Sequence, residues 1–243
     1  MDQSQRDLGT LRKSEVIGGL LYLPAFFLVT PILAALVVFF VTGTHVQAEL
    51  AGPIELVYTA MNAVFLGLLF RHYLLDQWRR LQNRGWAIFA DLGFGFLIYF
   101  AGAMAVSRVM GILQMLLQTE YQNANQEAAE AILAQWPLAA ILAACLLAPI
   151  GEELLFRGLV FCGLRRKSRT LAYAASMLSF SLAHVLGSMF DQPLSVTLMA
   201  LIVYLPHSFA LAWTYEHSGS IWGSVFLHAT LNSFSMLALA AMR

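Results

Sequence analysis

The sequence has little charge. Only 12% of its 243 residues are Asp, Glu, Lys or Arg, whereas 59% are hydrophobic; soluble domains carry about 25% charged residues. The net charge is zero, so composition gives no reason to expect nucleic acid as a partner. Apolar runs of roughly twenty residues recur along the chain, and each is long enough to cross a bilayer. These features predict an all-α, polytopic transmembrane helix bundle surrounded by lipid, and they exclude a large soluble domain.

Cysteine is also scarce. Cys145 and Cys162 are the only two, and they fall on one predicted helix, about 25 Å apart at 1.5 Å per residue. They are too far apart to form a disulfide, so we interpret them as small packing residues. The sequence contains no cysteine-based zinc pattern and no His-Glu-x-x-His motif of soluble zinc proteases.

Seven spans are the simplest interpretation of the apolar pattern. An eighth would have to come from 107–130, which is too polar. The first apolar stretch, 16–41, is much longer than the 7–15 residues of a signal-peptide core, so we expect an uncleaved spanning helix. We predict an N-terminal part of three spans and a polar loop, 1–136, and a four-span bundle, 137–243, within one integral membrane unit. The predicted spans are 15–42, 53–75, 86–106, 137–164, 170–187, 194–215 and 221–241.

The basic residues predict the orientation of the bundle. Eleven of the fourteen Lys and Arg lie in the segments 1–14, 71–84 and 165–169. Cytoplasmic loops carry such an excess, so we expect these segments and the N-terminus on the cytoplasmic side. The segment 71–84 is predicted to be a basic amphipathic loop.

Three charges stand inside an apolar run, at Glu152, Glu153 and Arg157. Insertion scales assign about 2.5–3.5 kcal/mol to each charge at a helix centre, so a functional site is the default explanation. Glu153 and Arg157 are four residues apart and can pair on one helix face, which predicts a structural clamp. Glu152 is rotated by about 100° from Glu153 and is left for chemistry.

Two further polar pairs lie in predicted spans. Phe180 and His184, and likewise His228 and Asn232, are four residues apart on one face of a helix. A carboxylate and an imidazole can activate water, while an imidazole and an amide can donate to an oxyanion. Glu152, His184 and His228 are alternatively a possible ligand set for zinc or another divalent metal. If these residues act together, they should converge within about 4–7 Å.

The order Glu-Glu-x-x-x-Arg, Phe-x-x-x-His, His-x-x-x-Asn, all within spans, resembles the CPBP (Abi) family. This family includes type II CAAX prenyl endopeptidases and bacteriocin-processing or self-immunity proteins. The resemblance covers about 137–235, and the N-terminal half has no matching motif. It implies an intramembrane endopeptidase acting on a membrane-embedded or lipid-anchored peptide or protein, in a bacterial cytoplasmic membrane.

The resemblance also implies roles for individual residues. Glu152 and His184 would activate the water, His228 and Asn232 would form the oxyanion hole, and Phe180 would line the site. The preferred mechanism requires no cofactor, although a metal mechanism stays open. The main alternative is a non-catalytic immunity or scaffold protein of the same fold. The sequence indicates no particular oligomeric state, and we interpret His207, beside Pro206, as a structural residue bonded to a freed backbone carbonyl.

Overall fold

The computed structural model describes residues 8–43 and 47–242. Over these ranges the chain is all-α and contains no strand, which confirms the predicted fold class. A short 3₁₀ turn, Gln47–Leu50, leads into the second helix. The nine helices of the described ranges are α1 (Lys13–Thr42), α2 (Ala51–Leu69), α3 (Arg71–Arg84), α4 (Ala87–Leu117), α5 (Ala124–Gln135), α6 (Pro137–Arg165), α7 (Arg169–Val185), α8 (Leu194–Ser218) and α9 (Ile221–Ala241).

Six of the helices in the described ranges are long and apolar enough to cross a membrane: α1, α2, α4, α6, α8 and α9. The fifth predicted span, 170–187, forms α7, which has only 17 residues and is about 25 Å long. This length falls short of the roughly 30 Å hydrocarbon core, so length and composition support six spans rather than seven. Contacts at both of its ends nevertheless show that α7 traverses the bundle: Arg169 pairs with Glu216, and the carbonyl of His184 accepts from Asn125.

The segment predicted as a basic loop, 71–84, is instead the helix α3, and α2 ends at Leu69 rather than near residue 75. Tyr73 and Gln77 are buried on one face of α3, while Arg71 and Arg79 are exposed. The prediction was wrong because the high charge of this segment hid its helical periodicity. The polar segment after the predicted third span could either extend the helix or lie in the membrane interface; in the structure it continues α4 to Leu117.

The end of the bundle that carries the arginine-rich segments is held together by polar side chains. Gln77 is fully buried, donates to the carbonyl of Leu8 (2.8 Å) and accepts from the backbone N–H of Ile221 (2.8 Å). Glu216, near the end of α8, pairs with Arg165 (2.5 Å) and Arg169 (2.8 Å). The ends of α3, α6, α7, α8 and α9 therefore meet at one side, which we call the arginine-rich end.

Close packing of α4 on α8 joins the two predicted parts of the chain. Gly95 and Gly102 lie two turns apart on one face of α4. A Cβ atom at Gly95 would overlap the Thr214 side chain, and one at Gly102 would lie 2.9 Å from the Pro206 side chain. Small residues permit such close approach between membrane helices. As a result, α4 supports the segment of α8 that carries residues 206–214.

The helix α6 is irregular where it carries the charged motif. It contains two stretches of π-helix, Ala143–Leu147 and Leu154–Cys162, on either side of the α-helical turn Ala148–Glu153. Single π turns inside helices are frequent at functional sites. Glu152 and Glu153 thus lie at the junction between two hydrogen-bonding registers.

Candidate active site

A buried ion pair forms the base of the site. Glu153 and Arg157 are both fully buried, and Nη1 of Arg157 lies 3.0 Å from Oε1 of Glu153. Nη2 donates to the carbonyl (3.0 Å) and the hydroxyl (2.9 Å) of Ser208, and the guanidinium carbon lies 4.7 Å from the centre of the Phe180 ring. Additional hydrogen bonds of this kind are what make a buried ion pair tolerable. The pair therefore links α6 to α7 and α8.

The same carboxylate orients an imidazole. Nδ1 of His228 lies 2.9 Å from Oε1 of Glu153. Because a carboxylate paired with arginine can only accept, this nitrogen carries the hydrogen, and the neutral ring presents Nε2 as an acceptor. His184 has the same arrangement, since its Nδ1 donates to the carbonyl of Phe180 at 2.9 Å. Both rings are thus fixed with Nε2 free to face the site.

Glu152 lies between the two imidazoles. Its Oε2 is 3.9 Å from Nε2 of His184 and 3.8 Å from Nε2 of His228, which is too long for direct hydrogen bonds. The oxygen is buried and has no hydrogen-bond partner among the described residues. Three acceptor atoms therefore face one another. A water molecule between them can donate to two of the three, with hydrogen bonds of about 2.8 Å.

Exposure within the site is uneven. The side chains of Glu152 and His184 are 19% and 21% exposed, whereas that of His228 is 2% exposed. Phe180, predicted to line the site, is fully buried, with its ring centre 4.2 Å from that of His184 and 5.8 Å from that of His228. Its ring packs against both imidazoles, and its role in lining the site stays a prediction. The accessible side of the site is the side of Glu152 and His184.

Asn232 makes a contact that the sequence did not predict. Its Nδ2 donates to the carbonyl of Ala144 at 2.7 Å. In the π register of this turn, Ala148 donates to the carbonyl of Ala143, so the next residue would donate to Ala144. That residue is Pro149, which has no N–H. Asn232 replaces the missing donor with one of the two N–H groups of its amide. The oxyanion role that the resemblance implied for Asn232 stays a prediction.

The donor atoms of the site lie farther apart than the ligands of a bound zinc ion. Among the described residues, no group of three or more His, Cys, Asp and Glu side chains could hold a metal. Zinc bonds of about 2.0–2.2 Å to nitrogen and oxygen place tetrahedral ligand atoms about 3.4 Å apart. The Nε2 atoms of His184 and His228 are farther than this from Oε2 of Glu152, at 3.9 and 3.8 Å.

A third imidazole, His207, belongs to the cluster and was not predicted as a site residue. Its ring centre lies 4.9 Å from that of His228 and 5.6 Å from that of Phe180, on which it stacks. Its Nε2 is buried and has no partner in the described part of the chain. The only signal in the sequence is a polar residue beside Pro206 within a span, and nothing in that pattern shows that α8 faces α7 and α9 at this point.

Residues 134–234 match a family model described as "Type II CAAX prenyl endopeptidase Rce1-like". We call the matched segment, which is less than half of the chain, the Rce1-like segment. It confirms the resemblance seen in the sequence, and the family implies a protease at the coarse level. No curated protein and no solved structure matches the chain. The Rce1-like segment contains all the predicted site residues: Glu152, Glu153, Arg157, Phe180, His184, His228 and Asn232.

The ion pair gives a prediction about stability. Arg157→Ala leaves the fully buried Glu153 without its counterion, and we expect a loss of about 3–5 kcal/mol in the free energy of unfolding. The melting temperature of the purified protein in detergent and the yield of monodisperse protein should both fall. Arg108→Ala is the matched control because Arg108 is exposed on α4. An unchanged melting temperature for Arg157→Ala would contradict the structural role of the pair.

The contact of Asn232 gives a second prediction. Asn232→Ala leaves the carbonyl of Ala144 without its donor and should destabilise the protein by about 1–3 kcal/mol. Adding Pro149→Ala restores a backbone N–H in the same place, so the double variant should melt at a higher temperature than Asn232→Ala alone. If the double variant melts at the same temperature as Asn232→Ala or at a lower one, Asn232 does not act as the substitute donor for the carbonyl of Ala144.

Proposed function

We propose that this protein is an intramembrane endopeptidase that hydrolyses a peptide bond in a membrane-embedded or lipid-anchored peptide or protein, using water activated by Glu152 and His184. The observation that carries the proposal is the position of Oε2 of Glu152, which faces two imidazole acceptors at 3.8 and 3.9 Å without a donor of its own. The match to an Rce1-like family supports it at the level of reaction class. From the family resemblance alone, we also propose a bacterial cytoplasmic membrane as its location.

In the proposed reaction, Glu152 and His184 act together, first as the general base and then as the general acid. Glu152, with His184, takes a proton from the bridging water, and the resulting hydroxide adds to the carbonyl carbon of the substrate. The tetrahedral intermediate then collapses, the C–N bond breaks, and the proton passes from this pair to the leaving amine. Each turnover consumes one water and yields one carboxylate and one protonated amine, with no co-reactant.

His228 is the proposed partner of the oxyanion. Its Nδ1 hydrogen is held by Glu153 at 2.9 Å, and its Nε2 faces Glu152. In the proposed reaction Nε2 takes up a proton from solvent, and the resulting imidazolium donates from Nε2 to the developing negative charge. Asn232, through Ala144, fixes the separation of α9 and α6, and therefore the separation of His228 and Glu152. We accordingly propose a positioning role for Asn232.

Substitution of the proposed base tests the function. Purified protein in proteoliposomes is incubated with a library of 20-residue, largely apolar peptides, and new termini are identified by mass spectrometry. We expect cleavage by the parent chain and a reduction of about 10²–10⁴-fold in Glu152→Gln, because general-base catalysis is worth about that much. Glu49→Gln, at an exposed glutamate, is the control. Full cleavage by Glu152→Gln would overturn the enzymatic proposal, and a folded parent that cleaves no peptide would favour the immunity or scaffold alternative.

The metal-free mechanism is tested separately. Because the proposed water lies between one carboxylate and two imidazoles, we expect cleavage to continue at an unchanged rate in the presence of EDTA or 1,10-phenanthroline. The rate is measured with a peptide that the parent cleaves, before and after dialysis against chelator. Loss of activity that zinc restores would replace the water-only mechanism with a metal-dependent one.

A further inference from the structure

A second cavity lies at the arginine-rich end of the bundle, between residues 10–15 and the helix α3. Its volume is about 380 Å³, and sites for small ligands commonly occupy about 300–1,000 Å³. It is separate from the candidate active site, because Glu152, His184 and His228 are not among the described residues that line it. We call it the α1–α3 cavity. Its polar lining comprises Thr10, Arg12, Glu15, His72, Tyr73, Asp76 and Arg79.

Glu15 joins the two walls of the α1–α3 cavity. It is 1% exposed, and its Oε2 accepts from the backbone N–H of Arg12 at 2.7 Å, while its Oε1 accepts from that of Tyr73 at 3.1 Å. Arg12 is the N-cap of α1, and Tyr73 lies in the first turn of α3. Backbone N–H groups at such positions lack partners within their own helix. Both oxygens of Glu15 are therefore engaged in capping the two helices.

The two arginines of the lining are not engaged in this way. Asp76, the other carboxylate of the lining, pairs with Arg80, whose Nε lies 2.6 Å from its Oδ2. Arg12 and Arg79 are exposed, and their guanidinium groups have no hydrogen bond or ion pair among the described residues. The segments 10–15 and 71–80 together carry five Lys and Arg against two carboxylates. The α1–α3 cavity thus offers unused cationic donors in a basic surrounding, which favours an anionic ligand.

The α1–α3 cavity lies where the apolar surface of the bundle begins. Ile17, one turn beyond Lys13 on α1, is 59% exposed, and Leu75, which lines the cavity, is 58% exposed. Trp78, adjacent to Arg79, is also exposed, and tryptophan is enriched at the level of the lipid headgroups. A phospholipid at this depth places its phosphate beside the guanidinium groups and its glycerol and acyl chain beside Leu75.

We propose that the α1–α3 cavity binds a phosphate group through Arg12 and Arg79, and that an anionic phospholipid supplies this phosphate. The planar guanidinium group matches two phosphate oxygens at once. Both walls come from segments that precede the Rce1-like segment, so the site goes beyond the proposed endopeptidase function and does not depend on it. A bound phosphate bridges α1 and α3, and Gln77 of α3 accepts from the backbone N–H of Ile221 on α9. Binding should therefore stabilise the bundle.

The test compares two double variants of the full chain, purified in a neutral detergent. Arg12→Gln, Arg79→Gln removes both cationic donors of the lining. Lys13→Gln, Arg71→Gln is the matched control, because it removes the same charge from exposed positions on the same two helices, outside the described lining. Each protein receives phosphatidylglycerol, phosphatidylcholine or inorganic phosphate at equal concentration. Bound lipid is counted by native mass spectrometry, and the melting temperature is measured in parallel.

We expect phosphatidylglycerol to bind the parent more tightly than phosphatidylcholine does and to raise its melting temperature. The affinity for phosphatidylglycerol should fall at least about tenfold in Arg12→Gln, Arg79→Gln, because one charge-assisted hydrogen bond is worth roughly that much. In the control it should stay within about threefold of the parent, since exposed charges away from a ligand contribute little. Equal losses in the two double variants would overturn the cavity as the site and leave only general attraction between basic residues and anionic lipid. Equal binding of the two lipids by the parent would overturn the proposal as well.

Two further comparisons define the ligand and the contact. If inorganic phosphate raises the melting temperature of the parent and displaces phosphatidylglycerol, but does neither in Arg12→Gln, Arg79→Gln, the cavity takes a free phosphate and the lipid assignment is overturned. Arg12→Lys, Arg79→Lys keeps the charge, removes the planar fork and serves as a second variant of conserved charge. We expect it to bind phosphatidylglycerol more weakly than the parent and more tightly than the glutamine variant. Affinity equal to that of the parent would overturn the two-oxygen contact.

Discussion

The ion pair between Glu153 and Arg157 is the interaction on which the rest of the structure depends. Removing two charges from water costs several kcal/mol per ion, so the pair is tolerable only when further hydrogen bonds satisfy it. Those bonds come from other helices: Ser208 of α8 accepts from the guanidinium, the ring of Phe180 on α7 lies beneath it, and His228 of α9 bonds the carboxylate. The electrostatic requirement of one pair on α6 therefore fixes the relative positions of four helices. The same requirement sets the geometry of the candidate site, because His228, which bonds the carboxylate of the pair, also lies 3.8 Å from Glu152.

Two adjacent glutamates have opposite surroundings, and that contrast is what makes chemistry possible. Glu153 is fully buried and its Oε1 lies 3.0 Å from Arg157 and 2.9 Å from His228, whereas Glu152, rotated by about 100° around the helix, is 19% exposed and lies 3.8 and 3.9 Å from the two imidazoles. The imidazoles on either side are held through their Nδ1 atoms by groups that can only accept, so each directs its Nε2 toward Glu152. Fixing the distal nitrogen of a histidine is a general way of setting its tautomer and orientation. The site is thus organised by hydrogen bonds made outside it.

Contacts within one helix could be predicted from the sequence, because they depend only on the 3.6 residues per turn of an α-helix. Four-residue spacing predicted that Glu153 and Arg157 share a face, and the structure shows that they form an ion pair. The family resemblance, which the model match confirms, rests on the same spacings. What the sequence could not show depends on contacts between helices or on departures from regular geometry. The hydrogen bond from Asn232 to Ala144 depends on a π turn at Pro149. His207 joins the site only because α8 faces α9. The helix α3 was not predicted because the high charge of its segment obscured the helical periodicity.

The two ends of the bundle differ in a way that matters for hydrolysis within a membrane. At the arginine-rich end, Gln77 and Tyr215 are fully buried and bonded to neighbouring helices, so the interior is packed around these two side chains. At the other end, exposed amides border a cleft that includes His184. The proposed hydrolysis consumes one water at each turnover, and a polar cleft beside His184 offers a path by which that water is replaced. The exposures agree with this path, because Glu152 and His184 retain about a fifth of their exposure while His228, farther inside, retains 2%. The buried charges thus stabilise the bundle interior, whereas the uncharged amides border the accessible side of the site.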